Sequence, residues 1–85
     1  MATVVIKRDG CQVAFDEQRI CAAICGAARA AQINDDDYCS TVARQISLQM
    51  QGRSQVDIHD IQNAVEDLLM AGRYPQLARC YIEYR

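Results

Sequence analysis

The sequence predicts an α+β domain: a β-hairpin laid over four helices, with a linker or short third strand later in the chain. Three observations predict it. Near the N-terminus an apolar run is turned back on itself by Asp9-Gly10. Four later segments carry apolar residues at steps of three and four, each with its own start or stop signal. The chain has 85 residues, enough for one domain and one core.

In chain order, TVVIKR and CQVAF flank Asp9-Gly10. Asp-Gly supplies the positive φ angles of a two-residue type I′ turn. That turn pairs Arg8 with Cys11, Ile6 with Val13 and Val4 with Phe15. Those six then share the face the helices must cover, and Val5, Lys7, Gln12 and Ala14 take the other. Asp16 stands where it would cap a first helix over residues 17–31, with Ile20, Ala23, Ile24, Ala27, Ala28 and Ala31 as its small-residue stripe. Asp35-Asp36-Asp37 opens a second helix, its carboxylates complementing the positive end of the macrodipole. No EF-hand spacing follows, so a metal reading of the aspartates gains no support. Tyr38, Val42, Ile46 and Met50 form the second stripe, and Gly52 sits where a C-terminal cap belongs. Residues 53–56 are the linker or short strand. Asp57 caps a third helix, with Asp60 in a capping-box position and Ile58, Ile61, Val65, Leu68 and Leu69 as the stripe up to Gly72. Pro75 suits the first turn of a fourth helix carrying Leu77, Tyr81 and Tyr84.

Composition narrows the function. Nine Lys plus Arg against eleven Asp plus Glu give a net charge of −2, without the basic excess that a nucleic-acid backbone binder needs. Apolar residues make up 51%, too many for a disordered tail. No stretch approaches the ~20 apolar residues of a membrane span. Charge at positions 7–9 interrupts what would be a signal peptide's apolar segment, so a cytoplasmic placement is expected. A chain this short hides only ~60–65% of its unfolded surface, which suits a binding module better than a metabolic active site.

The five cysteines, at 11, 21, 25, 39 and 80, are odd in number and include no Cys-x-x-Cys. The lone His59 has no cysteine near it, so neither a disulfide framework nor a zinc site is expected. They read as small apolar fillers, a redox role being the alternative, with Cys21 and Cys25 stacked on one helix face. No catalytic constellation, metal-ligand spacing or P-loop is present, so neither catalysis by this chain nor a metal held by its side chains is expected.

One cluster stands out. Lys7 is the only lysine, beside Arg8 at the hairpin tip, while Arg19 and His59 lie in the first turns of the first and third helices. If the hairpin crosses those helix N-termini, cations and free amide groups converge in a way that suits a polyphosphate. The competing reading is that Lys7 and Arg8 solubilise a turn and His59 is a surface residue. Strict alternation also puts Lys7 and Arg8 on opposite faces, unless a bulge re-aims one.

These residues also carry a family resemblance. Val5-Ile6-Lys7-Arg8-Asp9-Gly10 with Phe15 five residues on, Arg19-Ile20, Val56-Asp57-Ile58-His59-Asp60-Ile61 and Leu77-Ala78-Arg79-Cys80-Tyr81-Ile82-Glu83-Tyr84-Arg85 together resemble the ATP-cone domain over essentially the whole chain. The stretches YCSTVARQISLQMQGRSQVDI and QLARCYIEYR look like the cone that begins the large subunit of anaerobic (class III) ribonucleoside-triphosphate reductase.

The resemblance implies a four-helix bundle covered by a two- to three-stranded mixed sheet. It implies an overall-activity site at which ATP leaves the reductase active and dATP shuts it down, with Mg2+ accompanying the nucleotide. Carried over, Lys7, Arg8 and Arg19 would hold the triphosphate, and His59 would sit by the phosphates or sugar. Val5, Phe15 and Ile20 would help form the adenine slot. Val13 departs from aerobic cones, which often carry a carboxylate there, so adenine selectivity would fall to backbone groups or another side chain. The implied partners are the catalytic part of the parent reductase and other cones in an oligomer. Such a reductase continues into a catalytic barrel and glycyl-radical region, so residues 1–85 are expected to be the regulatory domain alone and not to reduce nucleotides. The alternatives are a structural or protein-interaction module that binds no nucleotide, the cone of another reductase class, or the cone of a repressor of reductase genes. That repressor carries a zinc ribbon ahead of its cone, and none stands here.

Overall fold

A computed structural model describes residues 3–84, with Tyr84 as backbone only. Tyr84 as the last member of the fourth stripe, and Arg85 as the end of the resemblance, lie outside the described residues and side chains. The strands are β1 (Val4–Ile6), β2 (Gln12–Ala14) and β3 (Gln55–Asp57). The helices are α1 (Glu17–Ala30), α2 (Asp36–Met50), α3 (Ile58–Ala71) and α4 (Pro75–Tyr84). The architecture is α+β, as the sequence predicts. Residues 55–57 resolve the open choice in favour of a strand. The sheet is mixed, in the order β2-β1-β3, with β1 antiparallel to β2 and parallel to β3.

The hairpin register differs from the expected one. Val5 pairs with Val13, Val4 with Ala14 and Ile6 with Gln12. The loop has three residues, not two: the Lys7 N–H donates to the Cys11 carbonyl at 2.8 Å, and the Gly10 N–H donates to the Lys7 carbonyl at 2.9 Å. Gly10 supplies the left-handed backbone, φ +86°, that such a loop needs at its last position. Asp9 Oδ1 accepts the Cys11 N–H at 3.0 Å and fixes the turn. Asp-Gly is therefore the end of a longer loop, not the whole of a short one. The one-residue slip exchanges the faces. Val5, 5% exposed, is the hairpin residue that enters the core, with Val13 and Phe15 half-buried against it. Lys7 shares that helix-facing side by alternation.

The helices bury the predicted stripes. Ile24, Ala27 and Ala28 of α1 meet Val42, Ile46 and Met50 of α2, Ile61, Val65 and Leu69 of α3, and Leu77 and Tyr81 of α4. Cys39 and Ala43 join the α2 stripe in place of the half-buried Tyr38. Both sheet-side caps are aspartates: Asp16 Oδ1 accepts from the Gln18 N–H at 2.9 Å, and Asp57 Oδ1 from the His59 N–H at 2.8 Å. Helix α1 ends in a Schellman arrangement, with the Ile33 N–H on the Ala28 carbonyl at 2.8 Å and Gln32 at φ +59°.

Helices of this length carry the opposite loops ~20 Å from the sheet. There Asp35 ties the two helical hairpins together. Its Oδ1 caps α2 through the Tyr38 N–H at 3.1 Å, while Oδ2 accepts from Tyr74 Oη at 2.8 Å and from Arg73 at 3.1 Å. The Tyr38 and Tyr74 rings pack edge to face at 5.2 Å. Gly72 is glycine because a side chain there would strike the Tyr38 hydroxyl and the Leu68 carbonyl.

Candidate functional site

Three elements converge beneath the hairpin. Strand β1 delivers Val5 and the residue just after it, Lys7; the N-terminal turn of α1 with its cap delivers Asp16, Arg19 and Ile20, and the first turns of α3 deliver Ile58 and Ile61. With Val13 and Ala14 from β2 they line a slot of about 110 Å³. Six walls are aliphatic; Lys7, Arg19 and Asp16 stand around them. A second, open cleft of about 340 Å³ is lined by Lys7, Arg8, Asp9, Ile58 and Gln62. Lys7 and Ile58 line both, so slot and cleft adjoin through them. Larger concavities lie elsewhere on the surface, one of about 480 Å³ among Gln49, Arg53, Asp60 and Asp67 and one of about 560 Å³ on the α3–α4 face. Neither combines an aliphatic slot with a cluster of cations.

The electrostatics of the cleft follow from the turn. Three exposed cations, Lys7, Arg8 and Arg19, stand with two carboxylates, Asp9 and Asp16. The Cys11 N–H that Asp9 accepts, reinforced by nearby Lys7, holds its carboxyl below the usual 3.8. Asp16 and Asp57 already occupy amide groups at the N-termini of α1 and α3. An anion here would therefore be met by side-chain cations more than by the free helix amides the sequence suggests.

Of the residues singled out in the sequence, the structure gathers Lys7, Arg8, Arg19, Val5 and Ile20 around the adjoining slot and cleft. His59 and Phe15 line neither. His59 is exposed at the second position of α3, and Phe15 packs half-buried against the core. The three-residue loop supplies what strict alternation denied, with Lys7 on the helix-facing side and Arg8 in the loop beside it. Sequence reasoning missed Asp16, Ile58, Ile61 and Gln62 as lining residues. In the sequence Asp16 reads wholly as a cap and Ile58 and Ile61 as core stripe, because the hairpin register that makes them walls of the slot is a tertiary fact.

The cysteines are free thiols. Burial pushes the Cys39 thiol up to about 12 and raises that of Cys25 as well, which favours the protonated thiol at both. Cys21 Sγ lies 3.7 Å from Ser40 Oγ, and Cys11 is exposed on the hairpin. The filler reading describes Cys39 well and Cys11 poorly. Among the described residues no helix is long and apolar enough to cross a membrane.

With this geometry in hand, the relatives add a context. The family model of the ATP cone domain matches residues 3–85. An anaerobic ribonucleoside-triphosphate reductase of Escherichia coli is 61% identical over 85 residues, all of this chain and 12% of that protein. The reductase of the same description from Haemophilus influenzae is 49% identical over 83 residues, 95% of this chain and 12% of its own length. A vitamin B12-dependent ribonucleoside-diphosphate reductase of Mycobacterium tuberculosis is 41% identical over 81 residues, again 95% of this chain and 12% of the relative. The chain thus spans about an eighth of each of these proteins.

Proposed function

The chain belongs to the ATP-cone family, a family of regulatory nucleotide-binding domains, and on that premise we propose that the adjoining slot and cleft bind an adenine nucleotide that sets the activity of an anaerobic ribonucleoside-triphosphate reductase. The observation that carries the reading is the position of Lys7, the cation that, with Ile58 beside it, lines both the aliphatic slot and the cationic cleft. At about 110 Å³ the slot takes a base but not a whole nucleotide, since ligand pockets usually run to ~300 Å³ or more. The ribose and phosphates would extend past Lys7 toward Arg8, with Arg19 at the slot's other edge and any Mg2+ carried on the phosphates.

Asp16 answers the question left by Val13. One of its carboxylate oxygens caps α1; the other is the polar acceptor beside the aliphatic walls and accepts the adenine amino group. Guanine, which presents a carbonyl at that position, would meet an acceptor with an acceptor. In this reading His59 does not touch the nucleotide, and Phe15 backs the slot without lining it.

ATP would leave the parent enzyme active and dATP would switch it off, although the two differ by one hydroxyl. A coupling of ~1–3 kcal/mol between that hydroxyl and the position of the hairpin is enough, and it acts reciprocally on nucleotide affinity. The catalytic part of the parent, working in the cytoplasm, is the partner that reads the change. The parent is an oxidoreductase; this segment supplies its regulation.

A thermal-shift panel of ATP, dATP, GTP and CTP tests the reading. At a hundred times its dissociation constant a ligand stabilises by about 2.7 kcal/mol, on the order of 10 °C in a domain of this size. ATP and dATP should produce that shift and CTP should not. Equal or absent shifts with all four would leave the structural-module alternative standing.

A further inference from the structure

Three of the cysteines form a cluster that the nucleotide reading leaves unused. Cys21 and Cys25 lie four residues apart on α1, so they share a face of that helix, and Cys39 stands on α2. Cys21 Sγ lies 3.7 Å from Ser40 Oγ, which sets that face of α1 against the turn of α2 that carries Cys39. The Cys25 thiol is hydrogen-bonded to those of both Cys39 and Cys21. Cys39 is 1% exposed, whereas Cys21 and Cys25 are half-buried, so the cluster has a closed side and an open one. None of the three lines the slot or the cleft.

We propose that Cys25 and Cys39 are a thiol–disulfide pair, closing a covalent link between α1 and α2 on reaction with a small-molecule disulfide such as oxidised glutathione. The choice of partner follows from helix geometry. Residues four apart on one helix hold their Cβ atoms ~5–6 Å apart, beyond the ~3.5–4.5 Å of a disulfide, so Cys21 cannot close on Cys25 without distorting α1. Cys39 approaches Cys25 from another helix and is free of that constraint. Exposure fixes the order of events. The thiolate of Cys25, the half-buried member, attacks one sulfur of the oxidant; a mixed disulfide forms and one reduced glutathione leaves. The Cys39 thiolate then attacks the Cys25 sulfur and expels the second glutathione. In each step the attacking thiol gives its proton, through water, to the departing thiolate. Two protein thiols are oxidised and one external disulfide is reduced. Burial disfavours both thiolates, which makes the reaction slow, on the order of hours. In the reduced state Cys39 packs as core filler, so the two cysteine readings describe two states of one residue.

Peptide mapping by mass spectrometry, after incubation of the 85-residue chain with oxidised glutathione, tests the proposal without any nucleotide. Dilute protein keeps links between chains from competing. The wild type should yield a Cys25–Cys39 disulfide as its main product, lighter by two hydrogens than the reduced peptides. Cys39→Ala should stop at a glutathione adduct on Cys25, and Cys25→Ser should leave Cys39 a free thiol. Cys21→Ser should still form the link. Circular dichroism checks the fold of each variant; should Cys39→Ala unfold, the wild type and Cys21→Ser still decide the pairing. The oxidised wild type should melt on the order of 10 °C above the reduced one, the effect of closing a loop of ~15 residues. A treated wild type without the Cys25–Cys39 link overturns the proposal. So does a linked form that melts lower than the reduced one, because the link would then oppose the native packing of α1 on α2. A disulfide through Cys21 in its place overturns the pairing.

Discussion

Replacing Lys7 by alanine tests the proposed phosphate contact separately from the rest of the site. Lys7 is exposed and its carbonyl and N–H, not its side chain, hold the turn. The fold should therefore be unaffected, within ~0.5 kcal/mol by denaturant titration. A hydrogen bond to a charged group contributes ~1.5–3 kcal/mol, and solvent at an exposed ammonium moves the expectation to the lower end. That corresponds to roughly tenfold weaker ATP binding at moderate salt. Titration calorimetry with ATP and with adenosine completes the cycle. Adenosine has no phosphate, so its affinity should be the same for wild type and Lys7→Ala, and the salt dependence of ATP binding should shrink. Unchanged ATP affinity would refute the phosphate role. An equal loss for adenosine would refute it differently, by showing that Lys7 acts as a wall of the slot.

Other outcomes follow from the same geometry. Asp16→Asn keeps an N-cap but replaces the proposed acceptor, so ATP-over-GTP discrimination should fall in competition titrations with little loss of stability; Asp16→Ala should lose both, the cap costing about 1 kcal/mol. Gln32 holds φ +59°, so Gln32→Gly should raise stability by ~0.5–1 kcal/mol in urea unfolding, less any entropy lost from the unfolded chain. The Asp35 cluster makes stability depend on pH at both extremes. The Tyr74 hydroxyl, then the Tyr38 N–H, hold the Asp35 carboxyl below 3.8, so its contribution is present above that value and lost as acid protonates it. The same carboxylate raises the Tyr74 hydroxyl above 10.0, so that contribution is intact below pH 10 and lost in stronger base. Tyr74→Phe should flatten the alkaline limb of a melting-temperature profile, and an unchanged limb would remove the hydrogen bond from the account.

How much of this was legible in the sequence depended on the range of the interaction. The four helices were, because caps such as Asp16 and Asp57 and stripes such as Ile61-Val65-Leu69 are local. The hairpin's existence was legible and its register was not. Asp9-Gly10 fits a two-residue loop and the end of a three-residue one equally, and Val4-Val5-Ile6 is apolar on both faces. The choice is made by which valine the helices bury, a tertiary fact. Strand β3 stayed ambiguous because its partner β1 lies in the other half of the chain. The Asp35–Tyr74 contact was hidden for the same reason. Among the residues singled out, charge and position were enough to point to Lys7, Arg8 and Arg19, which line the slot or the cleft. His59 lines neither slot nor cleft, since an early place in a helix does not fix where a side chain points.

The central position of β1 has a consequence for how the domain comes into being. Val5 pairs with Val13 on one side and Val56 on the other, and the slot takes walls from both flanks. A ribosome that has released only the hairpin, α1 and α2 has made most of the lining side chains and no pocket. Closing the sheet must first bring together residues about fifty positions apart, a slow, entropically opposed event. Nucleotide capture can then occur only after the last third of the domain has emerged and docked. The ligand would arrive as an inspector of finished molecules, and would favour whole domains over fragments during synthesis.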